Sequence, residues 1–308
     1  MISCTEFIPA YSALFDYLEK HYGEDEVHRY WNAIFVPEKS PLNALVREYG
    51  IAGCYKYWSR TLNEEAADFE LLLNEKDGWF MMKMYHCPSK GRLLDFEHVE
   101  PYHDYCHHCD QYRRSIEPYG LRYDYDYTDT DRAACRITVT DPKKFRGTMD
   151  VTPDTVVMRR TAADNKYCHR DFHTGINTGV EYLGSKYGTA AVRDYLRGFA
   201  LSFYAPTIGR MKKEGLAPLR EQILNSYASE DEGDKVSFDL GGDRMTVRVS
   251  ACPAVAFMKG HGVKVSEWYP LTTEAVMAAI AEAAGYAFEM KSYNAEDGAA
   301  EYSFERLK

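Results

Sequence analysis

A single register organises this chain. Tyr17 matches Tyr182, a spacing of 182 − 17 = 165 residues. The same spacing pairs Phe7 with Phe172, Leu18 with Leu183, Tyr22-Gly23 with Tyr187-Gly188, Val27 with Val192 and Tyr30 with Tyr195. It continues through Pro41 and Pro206, Gly50 and Gly215, Cys87-Pro88 and Cys252-Pro253, and Gly120 and Gly285. A register held without a gap over that length marks a tandem repeat. The expected fold is α+β: two copies of one module of N-terminal helices plus a small antiparallel sheet. The first module, with a Cys/His-rich helix, covers 1–140, a connector covers 141–171, and a degenerate second module covers 172–308. Two such copies are expected to pack as a pseudo-twofold pair, in a monomer or a homodimer.

Within each module the pattern reads helices, strand, helix, hairpin. Tyr11, Leu14, Phe15, Leu18 and Tyr22 recur at helical spacing and stop at Gly23, a C-cap, with a second helix from Glu24 or Asp25. Helical sequence is expected from Pro41 to Leu73. A strand follows at Trp79–Cys87, and its copy at Arg244–Cys252 alternates apolar and polar side chains. A helix is expected from Pro101 to Tyr119, ending at Gly120. A hairpin, Leu121–Tyr127 with Ala134–Val139, turns over the polar residues 128–132. Gly241-Gly242 reads as a turn.

Charge and hydropathy exclude some functions. The net charge of -10 and pI near 5.5 disfavour a phosphate backbone as partner, and Lys212-Lys213 reads as a solvated helix face. No apolar stretch is long enough to span a membrane, and no signal peptide is visible, so a cytoplasmic protein without nucleic-acid or membrane partners is expected. In that setting the eight cysteines read as thiols rather than disulfides. The 25 tyrosines suit a half-buried core or a pocket for a small planar ligand.

The densest reactive cluster is His103-Asp104-Tyr105-Cys106-His107-His108-Cys109-Asp110. On an α-helix, Tyr102, Tyr105, Cys109, Tyr112, Ile116 and Tyr119 share a stripe that faces the core. His103, Cys106, His107 and Asp110 share another, polar stripe. That second stripe offers a nucleophile beside a base, or, with Cys109, a donor set His103, Cys106, His107 and Cys109 for a divalent metal such as zinc. The second copy has Trp268, Leu271 and Glu274 opposite His103, Cys106 and Cys109, so the cluster is not a requirement of the scaffold.

Cys87 and Cys252 precede proline in both copies. They read either as small buried residues or as thiolates whose pKa a helix N-terminus lowers. His86 points to the other face of the strand. Cys168, His169 and His173 form a third cluster, read as cap and surface positions or as a contribution to the first copy's site, and Cys135 reads as core. No phosphate loop, dinucleotide fingerprint, nucleophile elbow or H-E-x-x-H motif occurs.

The order of strand Trp79–Cys87, helix with Cys106 or Cys109 near its start, Gly120, and hairpin with the late cysteine Cys135 resembles the L-2-amino-thiazoline-4-carboxylic acid hydrolase family, related to vinyl-reductase-type small-molecule-binding modules. The resemblance covers most of the first copy and, more faintly, the second, which has Leu271, Glu274 and Ala300 at the cysteine positions. It implies hydrolysis of a carbon–nitrogen bond in a small cyclic amidine. Cys106 or Cys87 would attack and His103 or His107 would move protons, unless a histidine-activated water attacks directly. The alternative is a non-catalytic sensor that binds a small molecule or a metal.

Overall fold

The structure is a computed structural model covering residues 1–308. It contains helices and two antiparallel sheets, which gives the α+β class expected. The chain divides into two compact units: a continuous unit, Tyr22–His169, and a split unit, Met1–His21 with Arg170–Lys308. This grouping differs from boundaries at 140 and 171 in two ways. The first helix, α1 (Phe7–Tyr22), groups with the later segment. Residues 141–169 group with the continuous unit, where they supply an outer strand.

In the continuous unit, three acidic residues open α2 (Glu24–Ile34) and complement its dipole. Pro41 and the Ser40 hydroxyl, which accepts the Asn43 amide at 3.5 Å, start α3 (Pro41–Tyr49). Gly50, at φ 57°, ends it. The next helix, α4 (Ile51–Glu64), lies so close to α3 that a Cβ on residue 53 would sit 2.4 Å from the Leu45 carbonyl oxygen, so only glycine fits there.

The helical reading of 41–73 fails after Glu64. Ala66 takes φ 48°, and β1 (Asp68–Asn74) follows. All of β1 after Asp68 is buried, so its Leu71-Leu72-Leu73 run lacks the alternation that separates strand from helix. β2 (Trp79–His86) pairs with β1. Then come α5 (Lys90–Leu94), a 3-10 stretch over Tyr105–Tyr112, α6 (Arg113–Ile116), β3 (Arg122–Asp126), β4 (Cys135–Thr140) and β5 (Val156–Arg160). The sheet order is β3-β4-β2-β1-β5. One sheet face packs Phe69, Leu71, Phe80, Met82 and Ile137 onto Val46, Cys54, Trp58 and Leu62 of the helices, with Trp58 stacked on Phe80 at 5.4 Å.

The split unit holds α1, α7 (Phe172–Phe203), α8 (Ala205–Glu214), α9 (Ala217–Ala228), β6 (Val236–Gly241), β7 (Arg244–Val249), α10 (Pro253–Gly260), α11 (Leu271–Ala284), β8 (Tyr286–Tyr293) and β9 (Ala300–Arg306). Its sheet order is β6-β7-β9-β8. Read from the other edge, β8-β9-β7-β6 has the connectivity of β3-β4-β2-β1. Glycines at the shared spacing take the same backbone: Gly23 at φ 86°, ψ 162° and Gly188 at φ 83°, ψ 173°, then Gly120 at φ 78° and Gly285 at φ 86°. Phe7 stacks on Phe172 at 4.3 Å, and the Tyr195 hydroxyl donates to the Ala10 carbonyl at 2.8 Å, which ties α1 to α7. No helix is long and apolar enough to cross a membrane.

Candidate functional site

The cysteine- and histidine-rich segment is not the regular helix expected over Pro101–Tyr119. It is a 3-10 stretch at Tyr105–Tyr112, one α-turn at Arg113–Ile116 and a further 3-10 turn at Glu117–Tyr119. Tyrosine, cysteine, histidine and aspartate have modest helix propensity, and Pro118 restricts the end of the segment. The change of helix type rearranges the faces. In a 3-10 helix residues i and i+3 eclipse, so Cys106, Cys109 and Tyr112 align on one face, and Asp104, His107 and Asp110 on another.

The two faces go separate ways. His107 pairs with Asp104, stacks on Tyr127 at 4.4 Å and keeps 55% of its side chain exposed. His103 is exposed, against the Tyr102 ring. Cys106 and Cys109 are half-buried and lie in the electrostatic neighbourhood of Cys87 and Cys135. The set His103, Cys106, His107 and Cys109 is thus divided: two imidazoles outward, two thiols inward. What comes together instead is Cys87, Cys106, Cys109 and Cys135, all unbridged.

Each member is placed by its element. The Cys87 amide donates to the Ala133 carbonyl at 2.7 Å, which pins the end of β2 to the turn before β4. Gly91 fits there because a Cβ would meet the His86 ring at 2.5 Å. Cys135 opposes Met84 in the β2–β4 register and half-faces the core. Tyr123 donates to the Cys109 carbonyl at 3.0 Å.

Burial sets the protonation of this cluster. It pushes the Cys106 and Cys135 thiols up to about 12, and raises Cys109 and Cys87 as well. For Cys87 this favours the reading as a small buried residue over that of a thiolate stabilised by a helix start: the amides of Lys90, Ser89 and Gly91 favour its thiolate, but loss of water outweighs them. Burial also raises the Glu65 carboxyl to about 7, with His169 and Arg92 opposing, and lowers the His108 imidazole to about 4. The thiols are therefore protonated at neutral pH, and Glu65 is the group near them poised to exchange a proton.

Beside the cluster lies a groove of 240 Å³ lined by Lys83, Met84, Tyr85, Asp126, Thr128, Asp129, Ala134, Cys135 and Arg136. Cys135 belongs to both. Lys83 pairs with Glu70 at 2.9 Å, Arg136 with Asp126 at 2.9 Å, and Arg132 with Asp129. The groove thus presents both signs of charge within one small volume.

Of the third cluster, Cys168 and His169 lie in the continuous unit and His173 in the split unit. The Cys168 amide donates to the Glu64 carbonyl at 2.8 Å, and His169 Nδ1 is 2.7 Å from the Glu64 carboxylate. Sequence reasoning passed over Glu65 and the groove's charged residues. The signals were an acidic pair at the end of α4, and polar side chains alternating outward along β2 and β4. No family model matches the chain, and neither a curated protein nor a solved structure does.

Proposed function

We propose that the continuous unit binds a small zwitterionic molecule of the cyclic amidine carboxylate class. The observation that carries this reading is the groove with Lys83 and Arg136 on one side of its charge balance and Asp126 and Asp129 on the other, next to Cys135. An amidinium finds carboxylates there and a carboxylate finds cations. The volume suits a single five-membered ring with its substituents rather than a drug-sized ligand. Binding exchanges the Arg136–Asp126 pair for contacts with the ligand.

A second reading, hydrolysis of the ring carbon–nitrogen bond, places the ring on the thiol side of Cys135, where Glu65 lies in the electrostatic neighbourhood of Cys87 and Cys109. A carboxyl near 7 takes a proton from water and returns it to the leaving nitrogen with little penalty in either direction. Water adds to the amidine carbon, the carbon–nitrogen bond breaks, and the nitrogen leaves protonated. In this scheme His103 and His107, turned outward, do not move protons, and a water activated by Glu65 replaces thiolate attack by Cys106 or Cys87.

The two readings separate in one experiment. 2-Aminothiazoline-4-carboxylate is titrated calorimetrically into wild type, Lys83→Ala and Asp126→Asn, and the mixture is then examined by mass spectrometry. Weaker binding in both variants supports the ligand class, and equal binding in all three proteins ends it. A mass gain of one water, lost in Glu65→Gln, supports hydrolysis, whereas bound but unchanged ligand leaves a binding module.

We also infer a tandem duplication, because the two units share strand connectivity and glycine backbone angles at a common spacing. The unbridged thiols of the cluster fit a reducing compartment such as the cytoplasm.

A further inference from the structure

The sheet face of the continuous unit that turns away from the helices carries a row of charges in register. Arg159 of β5 opposes Glu70 of β1, and Glu70 opposes Lys83 of β2. Lys83 opposes Arg136 of β4, and Arg136 opposes Asp126 of β3. Partners directly opposite on neighbouring strands share a face, with Cβ atoms about 4.5–5.5 Å apart. The sign of charge alternates at every step but one: Lys83 and Arg136 are both cations. Like charges directly opposite one another destabilise a sheet.

The carboxylates of the row stand on its flanks. Glu70 is buried and already shared: it accepts from Lys83 at 2.9 Å and from the Tyr85 hydroxyl at 3.3 Å, and it pairs with Arg159 as well. Asp126 pairs with Arg136 at 2.9 Å and accepts the Thr128 amide at 3.0 Å. Neither lies between the two cations, and both cations line the groove, with 39% and 52% of their side chains exposed. The sheet of the split unit shows the other arrangement. There Arg248 of β7 opposes Glu301 of β9. Glu301 holds Arg248 at 3.1 Å on one side and Lys291 of β8 at 3.5 Å on the other. A carboxylate stands between the cations in that sheet, and a groove stands beside them in this one.

We propose that Lys83 and Arg136 together form a binding site selective for the carboxylate of a small organic acid, with phosphate rejected. This deepens the groove reading above and rests on it for the place of binding, but it does not require an amidine. The Arg136 guanidinium offers a planar fork that matches a carboxylate, and the Lys83 ammonium adds a point charge. A bound carboxylate does for this pair what Glu301 does for Arg248 and Lys291: it restores the alternation of sign. A phosphate monoester brings a second negative charge, which Asp126 and Asp129 on the groove wall repel. The same two aspartates are left to face the cationic end of a ligand held this way.

Nuclear magnetic resonance titration of the nitrogen-15-labelled full chain with cyclopentanecarboxylate, a ring acid without an amidine, tests the site. Saturable shifts are expected at the amides of Lys83, Tyr85, Cys135 and Arg136, and none at Arg248 or Glu301. Binding is expected to weaken about tenfold or more in Lys83→Met and in the double variant Asp126→Lys/Arg136→Glu, which gives this row the alternation of the other sheet. Inorganic phosphate is expected to bind more weakly than the acid. Absence of those shifts in wild type overturns the proposal. So does unchanged affinity in either variant that keeps a dispersed spectrum, or phosphate binding as tight as the acid. If neither variant folds, the shift pattern and the phosphate comparison in wild type decide. Titration with 2-aminothiazoline, which lacks the carboxylate, and with 2-aminothiazoline-4-carboxylate separates the two readings. Binding of both to the groove without binding of cyclopentanecarboxylate ends the carboxylate site and keeps the amidine class. Binding of cyclopentanecarboxylate as tight as that of 2-aminothiazoline-4-carboxylate keeps the carboxylate site and ends the amidine class.

Discussion

Residues 105–119 and α11 lie 165 residues apart in the sequence, each before a left-handed glycine, and fold differently. α11, rich in alanine, is a regular helix of 14 residues with nine buried side chains. Its counterpart, rich in tyrosine, cysteine and histidine, breaks into 3-10 and α turns. Where alanine lets the backbone follow its own preference, the helix is continuous and carries no reactive groups inward. Where larger polar side chains must be placed, the helix tightens and its i, i+3 alignment brings Cys106 and Cys109 onto one face. The two glutamates at the common spacing tell the same story: Glu65, among thiols, is raised to about 7, and Glu230, beside His173 and Cys4, is lowered. The two units tune one residue type in opposite directions through its partners.

The largest test of this contrast is truncation of the side chain that anchors the broken segment. Ile116 is fully buried in the sheet core, and Ile116→Ala is expected to cost about 2–5 kcal/mol in urea unfolding. A loss under about 1 kcal/mol would mean the segment is not docked.

Next comes pH. His108 titrates near 4 in the folded chain against an ordinary 6.5, so its contribution is complete above pH 6.5 and is lost as pH falls towards 4. Glu65 runs the other way: its contribution is complete below pH 4.5 and is lost as pH rises through about 7. Each is worth on the order of 3 kcal/mol over its window, from about 1.4 kcal/mol per pH unit, and between pH 4.5 and 6.5 they oppose one another. Relative to wild type, Glu65→Gln is expected to lose stability on acidification and His108→Gln on alkalinisation. Parallel stability curves for all three proteins would refute both environments.

A smaller effect sharpens the likeness rather than the difference. Gly120 and Gly285 are both left-handed with open space where a Cβ would go, so alanine at either is expected to cost about 1–2 kcal/mol, and by similar amounts. A cost at only one would separate the two turns. Smallest of all, His107→Ala with Gln111→Ala is expected to add helical signal in far-ultraviolet circular dichroism for about 0.5 kcal/mol or less per position. An unchanged spectrum would show that the 3-10 form is imposed by packing rather than by propensity.

The sequence made the strands at Trp79–His86 and in both hairpins legible, because alternation and turn residues are local signals. It concealed β1, whose leucines are buried on both faces, and β5, which lies in what reads as a connector. It also misassigned the faces of the reactive segment, since the difference between 100° and 120° per residue is not written in residue types. The four-cysteine grouping was reachable only in part: Cys87 and Cys106 stood out by neighbours and spacing, but Cys135 joins them through the β2–β4 register, a long-range fact.

The pairing of β5 with β1, from Phe69 opposite Arg160 to Leu73 opposite Val156, decides where this chain can be cut. A fragment ended at Thr140, at the close of β4, would strip one flank of β1 and expose its leucine run to other molecules. A piece meant to carry the thiols intact has to reach His169, and limited proteolysis inside 141–160 should therefore promote precipitation rather than release a soluble domain.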